Sequence, residues 1–184
     1  IDNIDIKDWN VENLRDQIAV VPQDAFLFSD TIKNNIQFGK ENASQEEIEH
    51  FAKIADVHKN IMRFEKGYET ILGERGITLS GGQKQRVSIA RALIKDAPVL
   101  LLDDCLSAVD TETEERILNN LKDISAKKTT IIVTHRVSSA KNADKIIILN
   151  DGEIIEQGTH NQLLNQNGYY NNLYNKQLAE KDVS

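Results

Sequence analysis

Apolar residues along the chain follow two spacings. In Val99–Leu102, Ile131–Val133 and Ile146–Leu149 they are contiguous. The first two, Val99–Leu102 and the run within Thr129–Val133, are expected to be strands buried on both faces. Elsewhere they recur at helical spacing. Ile117, Leu118, Leu121 and Ile124 mark one face of an amphipathic helix predicted over Thr111–Ser125. Helices are also predicted over Asn10–Gln17, Thr31–Ile36, Gln45–Ala55, His58–Phe64 and about Gln83–Lys95, with a helical tail rich in Asn and Gln at His160–Ala179. Strands are predicted at Ile18–Val21, Val99–Leu102 and Thr129–Val133, and at Lys145–Leu149 and Glu153–Glu156 around the hairpin signal Asn150-Asp151-Gly152. Gly67–Thr78 reads as loop. Ile1-Asp2-Asn3-Ile4-Asp5-Ile6 reads as a strand or strand end, so the segment is expected to open inside a domain.

Buried strands alternating with helices predict an α/β fold with a parallel sheet, whose ligands bind at the carboxyl ends of the strands. Asp103 and His135 stand at two such ends. The 184 residues suffice for one compact domain. A net charge of −7 argues against a nucleic-acid partner held by the global field. The single cysteine, Cys105, has no partner for an internal disulfide, which fits a reducing compartment. No apolar run approaches the ~20 residues of a membrane-spanning helix, so any membrane link is expected through a partner or a segment outside this one.

Two stretches carry chemistry. In Leu79-Ser80-Gly81-Gly82-Gln83, Ser80 stands where it can cap a helix, and Gln83 completes capping-box spacing. Two glycines there permit close backbone approach, and the helix dipole favours an anion such as phosphate. Taken alone, this is also what any Gly-rich turn before a helix looks like. Lys84-Gln85-Arg86 and a downstream buried strand ending in an acid favour the anion reading. That strand is Val99-Leu100-Leu101-Leu102-Asp103-Asp104. Its carboxylates sit where Mg²⁺ beside nucleotide phosphates would be held, or where a solvated loop simply begins.

Leu79–Arg86 resembles the ABC signature motif, and Val99–Asp104 the family's Walker B strand. The order continues: Gln23 in Val21-Pro22-Gln23-Asp24 resembles the Q-loop glutamine, Ser107-Ala108-Val109-Asp110 the D-loop, and Thr134-His135-Arg136 the switch-histidine segment. Thr70-Ile71-Leu72-Gly73-Glu74-Arg75-Gly76 is similar to the loop before the signature in exporter-type cassettes, and Asp151–His160 to their closing hairpin. The resemblance implies a P-loop NTPase-like, mostly parallel sheet core (1–29 and 98–184) with an inserted helical subdomain (30–97), part of the core lying upstream. It implies two cassettes sandwiching two ATP molecules head to tail. Asp103 would hold Mg²⁺ through water, and Gln23 would sense Mg²⁺ and the attacking water while coupling to a transmembrane domain. His135 would contact the γ-phosphate, Asp110 would bridge the cassettes, and Ser80, Gly81, Gly82 and Gln83 would grip the partner's ATP. His50, His58, His160 and Cys105 show no metal-ligand spacing and read as structural. Glu112, Glu114 and Glu115 read as a helix N-terminus suited to the dipole.

Two features depart from the family pattern. No G-x-x-x-x-G-K-[ST] phosphate loop occurs in the 184 residues, and Trp9 does not match the adenine-stacking aromatic. At Asp104 the family pattern has Glu, the general base. Reference pKa values of Asp and Glu differ by about 0.4 unit, or ~0.5 kcal/mol. A positioned base is worth roughly 3–5 kcal/mol, so reach outweighs basicity. The shorter Asp104 resembles the degenerate site of heterodimeric exporters, unless a backbone shift restores its reach.

The expectation is an ATP-dependent motor segment of an ABC exporter at the cytoplasmic face of the cell membrane, paired with a second and different cassette. A non-transport cassette of DNA repair or translation, and a regulatory fragment without ATPase activity, remain as alternatives. The 184-residue segment by itself is expected to bind ATP weakly and show no Mg²⁺-dependent turnover. Micromolar affinity by calorimetry, together with turnover, would contradict this.

Overall fold

The structure is a computed structural model that describes residues 1–73 and 78–181; Glu74, Arg75 and Gly76 of the exporter-like loop lie outside it. The chain forms two compact units, Ile1–Val133 and Thr134–Ser184.

The first unit is built on a parallel sheet in the order β1 (Ile18–Val21), β2 (Val99–Asp103), β3 (Thr129–Val133). Val21 pairs with Leu102 and Asp103 with Val133, so the carboxyl ends of the strands form one edge. Between β1 and β2 the chain runs through α2 (Ile32–Gln37), α3 (Gln45–Ile54), α4 (His58–Ile61) and α5 (Gly81–Ile94). Helix α1 (Val11–Asp16) precedes β1, and α6 (Thr111–Ser125) joins β2 to β3. The parallel α/β architecture agrees with the sequence reading.

Local chemistry sets most boundaries. Asn10 caps α1 by accepting from Glu12 N and Asn13 N, and Thr31 caps α2. Ser44 with Glu47 forms a capping box on α3. Each short polar side chain satisfies amides that have no partner within the helix. Helix α5 is buried at Gln85, along Val87–Ala90 and along Ala92–Ile94. It packs against α2, α3 and β1 and forms the centre of the main core.

The strands differ from expectation in their burial. Ala19, Val21, Leu100 and Leu102 are buried, whereas Val20, Ile131 and Val133 on the opposite face stay about half-exposed. The helices packed against this sheet cover one face of it, so continuous apolar sequence does not become two-sided burial within this chain. Ile1–Ile6 is not a strand. Asp2 and Asn3 adopt left-handed φ values of 51° and 64°, Ile4 N donates to Ile1 O at 3.0 Å, and a 3₁₀ turn follows at Ile6–Asp8. The helix at His58 ends at Ile61, because Arg63 N and Phe64 N bond three residues back and tighten the chain into turns.

A buried carboxamide ties the segment after β1 to this core. Asn35, fully buried in α2, accepts from Phe28 N at 2.8 Å and donates to Phe28 O at 3.0 Å. Arg91 of α5 donates to Asn35 O at 2.7 Å, Asn35 Oδ1 at 2.8 Å and Phe26 O at 2.8 Å.

The second unit holds the hairpin β4 (Ile146–Asn150) and β5 (Glu153–Gly158), with α7 (Val137–Ala140), α8 (His160–Asn165) and α9 (Tyr169–Lys181). Asp151 and Gly152 both take positive φ, 49° and 83°, as a two-residue hairpin turn requires. Val137, Ile146, Leu163 and Tyr170 form its small core. The Tyr170 hydroxyl lies 2.7 Å from His160 Nδ1, and Glu156 accepts from the Tyr169 and Tyr170 amides.

Asn35→Ala removes partners from a backbone amide and a guanidinium at once. Leaving such groups unsatisfied should cost about 2–4 kcal/mol, read as a lower urea midpoint at unchanged m-value.

Candidate functional site

Strand β2 delivers Asp103 to the carboxyl edge of the sheet, anchored by buried Leu102 on one side and buried Cys105 on the other. The next residue, Asp104, takes a left-handed φ of 42°. Its amide donates to Val133 O at 2.8 Å, and its carbonyl accepts from Ser107 N at 3.3 Å and Ser107 Oγ at 2.9 Å. The two carboxylates are thus carried on a backbone pinned to β3 and to the following turn, and both side chains are half-buried. Burial pushes the Cys105 thiol up to about 12, so it stays protonated and acts as packing.

The N-terminus of α5 takes the form its sequence predicts. Ser80 Oγ accepts from Gln83 N at 3.3 Å, and Ser80 N donates to Gln83 Oε1 at 2.9 Å. This leaves the Ser80 hydroxyl proton and the Gln83 NH₂ as outward donors. The amides of Gly81 and Gly82 have no acceptor among the described residues. Four donors therefore gather at the positive end of a helix, an arrangement suited to an anion.

The glycines have a packing reason as well. A Cβ on Gly82 would come within 2.8 Å of Ala108 O, whereas one on Gly81 would meet only Ala108 Cβ at 3.6 Å. Ser107–Asp110 thus lies directly on the head of α5. Asp110 caps α6 by accepting from Thr113 N at 2.9 Å, and that backbone hydrogen bond holds its carboxyl below the usual carboxylate range. It is exposed and ionised, with a capping task the sequence reading did not assign.

Gln85 was noted in the sequence only as a follower of the glycines. It is buried, its Nε2 donates to Gln23 O at 3.4 Å, and its Oε1 accepts from Ala108 N at 3.2 Å. One side chain on α5 thereby joins the segments of Gln23 and Asp110. Gln23 itself has an exposed side chain beyond the end of β1. Arg86 reaches the other way, donating to Gly82 O at 3.2 Å, Asn60 Oδ1 at 3.1 Å and the carbonyl of Asp56. Asp56 is also gripped by Arg116 of α6 through Nε and Nη2, each 3.1 Å from Oδ2.

The first unit accordingly brings Gln23, Ser80, Gly81, Gly82, Gln83, Asp103, Asp104 and Asp110 onto one connected framework. His135 belongs to the second unit, exposed just before α7. There its carbonyl accepts from Gln177 Nε2 at 2.8 Å.

The sequence profile of the family described as "ABC transporter" matches residues 1–107. The chain belongs to this family. It is 46% identical over its whole length to ATP-binding cassette sub-family B member 6 of Xenopus tropicalis, and it covers 22% of that protein. It is 47% identical to the ATP-dependent lipid A-core flippase of Desulfotalea psychrophila (strain LSv54 / DSM 12343), with 96% of this chain and 31% of that protein aligned. A solved structure described as "Structure of a bacterial Atm1-family ABC exporter with ATP bound" superposes with a TM-score of 0.92 at 43% identity. That match covers 97% of this chain and 31% of the exporter chain. The segment therefore spans between a fifth and a third of these relatives. ATP-binding domains of ABC transporters are ATPases, and this cassette has the fold of an exporter's nucleotide-binding domain.

The packing of the two glycines separates their substitutions. Gly82→Ala must displace the Ala108 backbone and should cost about 1–3 kcal/mol. Gly81→Ala meets ordinary contact and should leave stability within about 1 kcal/mol. Urea unfolding of the two variants, compared side by side, decides this.

Proposed function

We propose that this segment is part of the ATP-hydrolysing motor of an ABC exporter, with residues 30–97 as its helical subdomain. The observation that carries the proposal is the head of α5. Its outward donors and Gly82 abut the D-loop segment, and Gln85 links both to the Q-loop backbone. In a head-to-tail pair, Ser80, Gly81, Gly82 and Gln83 would hold the phosphates of an ATP bound by the other cassette, and Asp110 would reach across the interface. His135 would contact the γ-phosphate, and Asp104 would stand at the base position. Mg²⁺ suits Asp103, because this ion keeps several waters and needs only one or two carboxylates besides phosphate oxygens. When bound it would neutralise developing phosphate charge.

A transmembrane partner is supported by length and by surface. Among the described residues no helix is long and apolar enough to cross a membrane, and the relatives are three to five times longer. A few residues after Gln23, Phe26 is 65% exposed, and Phe38 is 67% exposed. With Phe28 between them these rings form an exposed aromatic group braced by Arg91. Large exposed apolar groups mark interfaces. A helix-bearing segment of the transmembrane domain, on the cytoplasmic side, fits this surface and would couple it to Gln23.

The Asp104 site is the weaker of two unequal sites, and the signature of this chain completes the competent site on a partner that carries Glu at the base position. In the assembled transporter Ser80→Ala removes a cap worth ~1 kcal/mol and a charge-assisted contact worth roughly 1.5–3 kcal/mol. Turnover should fall at least tenfold, since about 1.4 kcal/mol is one decade. Asp104→Ala should cost much less, and Asp104→Glu should raise turnover. Loss of activity with Asp104→Ala beside a near-silent Ser80→Ala would reverse the assignment of sites.

A further inference from the structure

The tail after Gly168 carries no residue that the sequence marks for chemistry, yet one of its side chains holds the backbone of the switch-histidine segment. Gln177, on α9, places its carboxamide across Arg136. Its Nε2 donates to His135 O at 2.8 Å, and its Oε1 accepts from Val137 N at 2.9 Å. Val137 is the first residue of α7, and Arg136, the residue before it, offers no side-chain cap. Gln177 supplies from 40 residues away the acceptor that Ser80 or Thr159 supplies locally to its own helix. Two bonds on either side of one residue restrict the dihedrals that aim the His135 side chain. Both ends of the clamp are anchored: Val137 is buried at one end, and Tyr170, buried on α9, sits at the other.

We propose that Gln177 is a positioning residue for His135 and that the C-terminal helix, through it, sets the histidine's approach to the γ-phosphate. The proposal rests on the reading of His135 as the γ-phosphate contact. Gln177 touches no substrate and acts only through the segment it holds. A carboxamide suits the task because it offers one donor and one acceptor side by side. Gln177→Glu keeps the shape and the bond to Val137 N, but it sets a carboxylate oxygen against His135 O. Gln177→Leu removes both bonds.

The test uses the full-length assembled transporter. Gln177→Leu is expected to lower kcat for ATP about tenfold, with KM for ATP changed less than twofold and Tm within a few degrees of the parent. Gln177→Glu is expected to lower kcat as well, and it serves in its place should Gln177→Leu fail to fold. In a His135→Ala background the same changes should lower the residual rate less than twofold, because the group they position is gone. Hydrogen exchange at the Val137 amide should rise at least tenfold in Gln177→Leu. An unchanged kcat, or effects of His135→Ala and Gln177→Leu that multiply, would overturn the proposal alone. A His135→Ala variant with parental turnover would overturn the reading of His135, and the proposal with it.

Discussion

The N-terminus of α5 can face an anion only because the rest of that helix is buried. From Val87 to Ile94 nearly every side chain except Arg91 is inside the core, and a helix buried around its circumference has no freedom to tilt. That rigidity is delivered to Ser80 and the two glycines, whose donors would otherwise wander. The same helix supplies Gln85, Arg86 and Arg91, which reach the segments after β1, β2 and α3. Site and core are therefore built on one helix, α5.

Carboxamides do much of the long-range fastening. Asn35 pairs with both backbone groups of Phe28, Gln85 joins Gln23 O to Ala108 N, and Gln177 joins His135 O to Val137 N. In each case one planar group satisfies a carbonyl and an amide that loop geometry leaves without a regular partner. Charged groups could not serve both ends, since an ammonium only donates and a carboxylate only accepts. The cost of leaving a buried backbone group unpaired, about 1–3 kcal/mol, is what makes such bridges worth fixing a flexible side chain.

These bridges also mark where sequence reading stops. The capping box at Ser80 was open to it because donor and acceptor lie three residues apart, and those the structure adds at Ser44 and Thr159 have the same spacing. The Asn150-Asp151-Gly152 turn was open for the same reason. The parallel direction of the sheet followed from apolar runs alternating with helical spacing, whereas its strand order did not. Gln85 finds its partners 62 and 23 residues away and Gln177 finds its own 42 and 40 residues away, and no local pattern distinguishes them from any other glutamine. Burial of the sheet was half legible: the apolar runs say that both faces are suited to burial, while only packing decides that Val20, Ile131 and Val133 stay open here. Ile1–Ile6 reads as a strand end, but among the described residues no strand pairs with it, and Asp2 and Asn3 turn the backbone instead.

Asp104 shows local and global demands meeting in one residue. Its φ of 42° lies where short polar side chains sit with least strain, and a longer residue there costs roughly 1 kcal/mol more. The turn therefore prefers Asp, and the proposed chemistry prefers the longer Glu. The magnitudes decide which preference governs. A base in reach contributes roughly 3–5 kcal/mol to the barrier, several times the strain that a Glu would add. Turn geometry by itself thus does not account for Asp at this position, because a site selected for fast hydrolysis would accept that strain. The backbone is pinned on both sides by Val133 O and Ser107. A short carboxylate on a pinned turn, beside the donors at the head of α5, is the arrangement that supports the proposal of a weaker Asp104 site.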